Sequence, residues 1–236
     1  MSETIELGDV VIELTRKGVK HVHLSVHPPD GRVTLVAPTG TRLDVARTYA
    51  ISRLSWIRKR QKEFSGQERE PQREFISRES HFLWGQRHLL TVEEREERPS
   101  VRVAGKQLVL TVRPGSDRMK RASVVHDWHK ALLHEQVPAL IGRWAPRLRV
   151  RVAGYFLQRM RTKWGSCNHS ARTIRLNTEL VKKPRDLLEY VVVHELAHLR
   201  VPSHGERFVA LLDEHYPNWR AARVDLNELP VPDWPR

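Results

Sequence analysis

Residues 194–198 read His-Glu-Leu-Ala-His, and a further histidine, His204, follows shortly after them. On an α-helix, side chains at positions i and i+4 lie on one face, so the imidazoles of His194 and His198 can reach the same metal ion. Glu195 follows the first of these histidines directly, where its carboxylate can address water bound to that ion. The segment therefore predicts a metal centre with His194, His198 and His204 as ligands and Glu195 as the catalytic base.

The residues around this segment favour a buried helix. Pro184 suits a first helical turn, and Asp186 complements the positive end of the helix dipole. A histidine pair inside an apolar core needs a specific partner, and a metal ion is such a partner. The apolar positions that nearly encircle the predicted helix are Leu187, Leu188, Val191, Val192, Leu196 and Leu199.

Pro202 ends this helix, and a second helix is expected over residues 205–215. Two ligands from one helix and a third from the start of the next leave one position of a tetrahedral zinc ion open. An open position indicates catalysis, because structural zinc is usually closed by four protein ligands. The alternative is a chance HExxH segment in a chain with 13 histidines, in which the paired helical histidines are satisfied core residues.

The spacing of ten residues between His194 and His204 matches that of the metzincins. Val201 occupies the place of the metzincin glycine, however. Met119 and Met160 both precede the segment, so no later methionine can form the methionine turn of that group. These differences argue against a metzincin. Three imidazole ligands favour zinc by ligand type and availability, with one ion per chain.

Composition bounds the partners and the location of the protein. The chain has 236 residues and a net charge of +13, which attracts nucleic acid, nucleotides or acidic proteins without selecting among them. Cys167 is the sole cysteine, so no intrachain disulfide can form, as expected in a reducing cytoplasm. The first residues lack the pattern of a signal peptide, and no apolar stretch approaches membrane-spanning length. We expect a cytoplasmic protein without a membrane segment.

The first half of the chain is predicted to be β-rich with one substantial helix. That helix starts after Thr41 and reaches about Phe64, and residues 28–31 suit a turn. A long helix is expected over residues 118–144, with Pro138 as a point of interruption. The β-favouring runs are residues 10–14, 21–26, 33–36, 89–92 and 101–112.

A second cluster, residues 158–167, precedes the metal helix. Residues 155–163 and 173–177 are predicted as two strands, and residues 165–170 as the turn between them. Such a hairpin beside the metal helix could expose an edge. In a peptidase, that edge could hold the substrate as an added strand through main-chain hydrogen bonds.

Several residues of this region together carry a family resemblance: Arg161, the run Trp-Gly-Ser-Cys at 164–167, Asn177, Pro184, the run 190–199, His204 and Phe208. They resemble the YgjP-like metallopeptidase family, which is related more distantly to the SprT and WLM zinc proteases. The similarity is sharpest over residues 159–219. It implies a zincin-type catalytic domain with His194, His198 and His204 on zinc and Glu195 as base. Lys163 departs slightly from the pattern, since an arginine often precedes the tryptophan.

We therefore expect an α+β fold, in which a β-rich accessory region with one long helix (residues 1–115) precedes a zincin-like metallohydrolase domain with the HExxH helix (residues 116–236). The expected function is that of a zinc-dependent metallopeptidase that acts on polypeptides with metal-activated water. Two alternatives stay open. The resemblance also admits a nucleoside triphosphate pyrophosphatase, and the charge admits a nucleic-acid-associated basic protein whose zinc site serves stability.

Other residues are weighed against structural roles. Four could donate to the oxyanion of a transition state, although a structural role is favoured for each: Arg161, Tyr190, His215 and Tyr216. Cys167 is interpreted as a packing residue, and Glu206 as an exposed residue of a first helical turn rather than support for a ligand. The three histidines of the long helix, His126, His129 and His134, are interpreted as solvated or packing residues.

Basic residues surround Trp56 on the predicted first helix and could form a phosphate-binding face: Arg42, Arg47, Arg53, Arg58, Lys59, Arg60 and Lys62. A solvated amphipathic helix with an anchoring tryptophan is the favoured interpretation.

Overall fold

A computed structural model describes residues 2–27, 31–65, 69–70, 73–160, 163–228 and 231–232. The chain divides into two compact units, Met1–Glu70 and Pro71–Arg236. Helices and strands are mixed, so the predicted α+β class is confirmed, and so is the β-rich N-terminal region. Most of the predicted turn at residues 28–31 lies outside the described residues. Among the described residues, no helix combines the length and the apolar composition needed to cross a bilayer.

The first unit contains a four-stranded sheet in the order β1-β2-β4-β3, with β2 and β4 parallel and the other pairs antiparallel. Alternate residues of β2, such as Val10, Ile12 and Leu14, are buried and pack with Ala46, Ala50 and other helical residues into one core. The elements of this unit are β1 (Ser2–Leu7), β2 (Val10–Lys17), β3 (His23–His27), β4 (Arg32–Pro38), α1 (Leu43–Ser52), α2 (Leu54–Ser65) and β5 (Arg69–Glu70).

The single helix predicted from Thr41 to Phe64 is wrong, because α1 ends at Ser52 and α2 begins at Leu54. The intervening Arg53 leaves helical geometry, with φ −109° and ψ 4°. Its N–H donates to the carbonyl of Ala50 at 3.1 Å, a tightened last turn. Local hydrogen bonds therefore end α1 without a glycine or a proline.

The second unit contains a four-stranded sheet in the order β6-β7-β9-β8, in which β7 and β9 are parallel, and a three-stranded sheet in the order β10-β12-β11. Its strands are β6 (Ser80–Leu83), β7 (Gln86–Glu94), β8 (Ser100–Ala104), β9 (Gln107–Val112), β10 (Gly154–Gln158), β11 (Gly165–Asn168), β12 (Thr173–Asn177) and β13 (Val231–Pro232). Its helices are α3 (Arg118–Leu148), the 3₁₀ helix η1 (Thr178–Lys182), α4 (Arg185–His198), α5 (Glu206–His215) and α6 (Trp219–Glu228).

The predicted interruption of the long helix at Pro138 is wrong, since α3 continues to Leu148. Proline removes one backbone N–H donor, which leaves the carbonyl of His134 without its helical partner. Pro138 and His134 are both exposed, so solvent can satisfy that carbonyl, while the neighbouring Leu133 and Val137 are fully buried and hold the helix against the core.

The predicted hairpin before the metal helix is also wrong. Gly165–Asn168, expected to be part of a turn, is the strand β11, which pairs antiparallel with β12. The earlier segment forms β10, which pairs parallel with β12 on its other side. Strand β11 therefore lies at the edge of this sheet, next to α4.

Helix α4 lies within the main core of the second unit. Its residues Val192, Val193 and Leu196 are fully buried and share one cluster with α3 and with strand residues such as Leu90 and Leu110. Strands β6 to β9 thus contribute to the core that holds α4. The boundary predicted between residues 115 and 116 differs from the boundary between the compact units, and the functional division that it describes stays a prediction.

His129 on α3 gives the second unit a sensitivity to acid. Its ring is buried, its Nε2 atom has no hydrogen-bond partner among the described residues, and burial lowers its pKa to about 3. The unfolded chain takes up this proton near pH 6.5 and the folded chain does not, so stability falls as the pH drops from 6.5 towards 3. This residue alone lowers the free energy of unfolding by about 2 kcal/mol between pH 7 and pH 5.

We expect His129→Leu to remove that part of the pH dependence. Urea unfolding of both proteins at pH 7 and pH 5 measures it, and His134→Leu, at an exposed position of the same helix, is the matched control. An equal loss of stability in wild type and His129→Leu would contradict the prediction.

Candidate metal centre

The structure brings His194, His198 and His204 together around one point. The Nε2 atom of His204 lies 3.0 Å from that of His194 and 3.1 Å from that of His198. Zinc–nitrogen bonds of about 2.0–2.1 Å in a tetrahedral arrangement place two ligand nitrogens about 3.3 Å apart. The two measured separations are close to this value, and the three ligand atoms all lie within 4.8 Å of one another, so one ion could contact all three histidines.

A hydrogen bond fixes the orientation of the His198 ring. Its Nδ1 atom lies 3.2 Å from the carbonyl oxygen of Val201, to which it can donate a proton. A neutral imidazole carries one N–H, so this bond leaves a lone pair on Nε2, which points to the cluster. The second nitrogen of His194 differs, because its buried Nδ1 has no hydrogen-bond partner among the described residues.

Phe208 packs against all three histidines. Its ring centroid lies 5.0 Å from that of His194, 4.5 Å from that of His198 and 4.9 Å from that of His204. Phe208 is buried on α5, one turn after the N-terminal Gly205. The start of α5 thus fixes the position of His204 relative to the histidine pair on α4.

Glu195 lies on the buried side of this centre, with 6 % of its surface exposed. Its carboxylate packs directly on Gly165 of β11: a Cβ atom at that position would lie 2.5 Å from Oε1. Burial raises the pKa of Glu195 to about 8, and the positive charge of Lys163 acts in the opposite direction. The site therefore holds a carboxyl group with a raised proton affinity beside the three imidazoles.

An open cavity of about 330 Å³ lies over these residues. Helix α4 contributes His194, Glu195 and His198 to one wall, and β11 contributes Gly165, Ser166 and Cys167 to another. Two further polar side chains, Lys163 and His169, line it as well. We call this cavity the metal cleft.

The edge of β11 presents main-chain hydrogen-bonding groups at the metal cleft. The N–H of Asn177 donates to the carbonyl of Trp164 at 2.9 Å, and opposed residues of an antiparallel pair alternate between hydrogen-bonded and unbonded. Gly165 and Cys167 therefore occupy unbonded pairs with β12. Their N–H and C=O groups point to the other side of β11, on which no described strand is paired.

Asn177 holds the segment that leads into β11. Its side-chain amide donates to the carbonyls of Met160 and Lys163 at 2.8 Å and 2.9 Å. Its Oδ1 atom accepts from the N–H of Glu179 at 3.1 Å. One buried side chain thus holds the main chain at Met160 and at Lys163, just before β11.

The residues suggested for the oxyanion do not line the metal cleft where the structure describes them. The hydroxyl of Tyr216 donates to the carbonyl of Asp186 at 3.3 Å, and the buried Tyr190 packs its ring 5.8 Å from that of His194. His215 lies 3.6 Å from Glu214. Arg161 lies outside the described residues.

Other candidates have structural surroundings. Burial and the charge of Glu195 raise the pKa of the Cys167 thiol to about 11, so the thiol stays protonated at neutral pH and is a poor nucleophile. Glu206 is exposed in the first turn of α5. His134 contacts the hydroxyl of Tyr155 at 2.8 Å.

The basic residues near Trp56 are partly in ion pairs within the first unit. Arg42 lies 3.0 Å from Asp44, and Arg58 contacts Asp9. Trp56 is 40 % exposed on α2. A solvated amphipathic helix stays the favoured interpretation, and phosphate binding by this face stays an untested alternative.

Sequence reasoning missed Lys163, Gly165 and His169 as parts of the site. Gly165 and Lys163 belong to the cluster before the metal helix, but an interpretation of residues 165–170 as a turn gave no reason to place them against Glu195. His169 follows β11 directly, so the correct strand assignment would have placed it near the metal cleft.

Three histidines grouped on and after a buried helix could hold a metal ion, and a carboxylate lies beside them, as in metal-dependent hydrolases. The chain belongs to the YgjP-like family, since the family's metallopeptidase domain matches residues 20–229. This confirms the resemblance found in the sequence.

Among solved structures, the metallopeptidase zymogen jannalysin of Methanocaldococcus jannaschii is 20 % identical, with a TM-score of 0.35, over 39 % of this chain and 93 % of its own. The zymogen abylysin of Pyrococcus abyssi is 20 % identical, with a TM-score of 0.34, over 38 % of this chain and 88 % of its own. No curated protein matches the chain. The two solved structures are too distant to support an assignment, so the family membership rests on the match over residues 20–229.

Proposed function

We propose that this protein is a zinc-dependent peptidase in which His194, His198 and His204 bind the ion and Glu195 is the general base. The observation that carries the proposal is the convergence of three Nε2 atoms, at 3.0 and 3.1 Å, beside one buried carboxylate. The ligand set contains only imidazoles, which suits zinc. Membership of a metallopeptidase family supports the reaction class.

When bound, the ion would polarise the scissile carbonyl and lower the pKa of a water molecule. Glu195 would accept the proton of that water at a carboxylate oxygen, and would then deliver it to the nitrogen of the leaving amine. Both transfers need a carboxyl group whose pKa is close to the working pH. The burial of Glu195 supplies this, while a bound cation would favour the ionised form from which the reaction begins.

The edge of β11 suits a peptide main chain. An extended peptide laid beside this strand can donate to and accept from the groups of Gly165 and Cys167 that point away from β12. Successive side chains of such a peptide point alternately towards and away from the metal cleft. This geometry supports a polypeptide as substrate.

A substrate panel tests the proposal. Purified zinc-loaded protein is incubated with denatured proteins, nucleoside triphosphates and DNA, with Glu195→Gln as the inactive control. We expect cleavage of unfolded polypeptides by wild type alone. Release of pyrophosphate from nucleotides without cleavage of any polypeptide would reject the peptidase and favour the pyrophosphatase alternative.

We expect Zn²⁺ to stabilise the wild type and to have little effect on His204→Ala. A ligand that binds only the folded state at about 100 times its Kd adds about 2.7 kcal/mol to the free energy of unfolding. His204 is exposed, so alanine removes a ligand without leaving a buried hole. Urea unfolding with zinc and with a chelator measures the difference, and His23→Ala is a control at another exposed histidine. Equal stabilisation of His204→Ala would remove this residue from the ligand set.

A further inference from the structure

A second open cavity, of about 440 Å³, adjoins the metal cleft, and His169 lines both. Four arginines surround it: Arg149, Arg151, Arg172 and Arg200. The apolar part of its lining comes from Val150 and Leu199. We call it the arginine cavity.

Two of these arginines occupy backbone conformations that favour glycine. Arg149 ends α3 in the left-handed region, with φ 55° and ψ 45°, and Arg172 has φ 51° in the turn between β11 and β12. Glycine or asparagine adopts this conformation more easily than arginine. Backbone preference therefore does not explain arginine at either position.

The guanidinium groups of the arginine cavity are available to a ligand. Within the part of the chain that the structure describes, these four arginines form no ion pair, and all four residues are exposed. Arg200 makes one long contact, 3.4 Å from Nη1 to the carbonyl of Leu148. Four like charges at one cavity create a positive potential, and guanidinium groups bind carboxylates or phosphates through two parallel hydrogen bonds.

The arginine cavity lies where a substrate strand on β11 would continue. Strand β11 runs from Gly165, beside Glu195, to Asn168, and the turn that follows contains His169 and Arg172. Three residues of strand span about 10 Å. A peptide paired with β11 would therefore bring side chains to the arginine cavity about three to five residues from the position next to Glu195.

We propose that the arginine cavity binds acidic side chains of the polypeptide substrate, about three to five residues from the scissile bond. The inference rests on the proposed peptidase function and specifies its substrate class. A peptide is favoured over nucleic acid because the cavity is concave and shares a lining residue with a cleft whose strand edge fits a peptide main chain. A carboxylate within that peptide supplies the anion.

The first measurement is a cleavage profile. Wild-type protein digests a library of unfolded peptides, and mass spectrometry identifies the cleaved bonds and their neighbours. We expect Asp and Glu to be enriched about three to five residues to one side of the scissile bond. Two peptides are then made from the best-cleaved sequence, with either three Glu or three Gln at the enriched positions, and their hydrolysis is compared. The Glu peptide should have a kcat/KM roughly tenfold higher, mainly through a lower KM.

Charge reversal identifies the cavity. Arg151→Glu/Arg172→Glu should hydrolyse the Glu and Gln peptides equally well. Arg113→Glu, at an exposed position between β9 and α3, should keep the preference for Glu. Retention of the preference by the double variant would overturn the proposal.

Binding separates this inference from the proposed function. If wild type cleaves no peptide, the peptidase proposal fails. In that case, the Glu and Gln peptides are labelled, and their fluorescence anisotropy is measured with Glu195→Gln protein. Equal affinity for the two peptides would overturn the inference. A third outcome is that wild type shows no preference for Glu but binds DNA, and that the double variant loses this DNA binding. That outcome would assign the arginine cavity to phosphates and would also overturn the inference.

Discussion

Glu195→Gln is expected to lower turnover by about 10²- to 10⁴-fold, the usual contribution of a general base, while the protein still binds its metal ion. The amide has nearly the shape of the carboxylate, so it keeps the packing against Gly165 and the neighbouring histidines. It cannot accept a proton at neutral pH. Activity measured on the best peptide substrate, together with the zinc content of the purified variant, checks both parts of the prediction.

Glu206→Gln is the matched control for this loss. Glu206 is exposed in the first turn of α5, close in sequence to His204, and it does not line the metal cleft. We expect this variant to keep wild-type turnover. Unchanged turnover in Glu195→Gln would remove Glu195 as the base, whereas a loss of zinc from that variant would show that the residue acts on metal binding instead.

The helices of the metal centre could be predicted because their signals are local. Pro184 and Pro202 flank α4, and the apolar positions of the segment between them indicate a buried helix. Helix α5 spans Glu206–His215, within one residue of the predicted helix over residues 205–215. The i, i+4 spacing of the histidine pair follows from helix geometry alone. His204 could be placed beside that pair because only a short link separates the two helices.

The strand at the metal cleft could not be predicted, because its signal is not local. Gly165–Asn168 contains glycine, serine and asparagine, which favour turns. Its strand conformation depends on pairing with β12 and on the close packing of Gly165 against α4. The arginine cavity was missed for the same reason, since Arg149, Arg172 and Arg200 come from separate segments that only the fold brings together.

Gly165→Ala is expected to lower turnover about 100-fold without loss of the metal, through displacement of a general base. An added Cβ atom would lie 2.5 Å from Oε1, 2.6 Å from Cγ and 2.8 Å from Cδ of Glu195. These distances are shorter than any van der Waals contact, so the carboxylate must move. Gly165 does not have a positive φ, so alanine fits its backbone and the collision with Glu195 is the main effect. We therefore expect Gly165 to act as a positioning residue for Glu195, the proposed base.

A double-mutant cycle separates this role from a general loss of structure. If alanine acts only through Glu195, then Gly165→Ala/Glu195→Gln should be no less active than Glu195→Gln alone, because the base is already lost. Gly154→Ala on β10 of the same sheet is the matched control, since nothing lies within 4 Å of its added Cβ. Losses that multiply in the double variant, or full activity of Gly165→Ala, would show that β11 does not position the carboxylate.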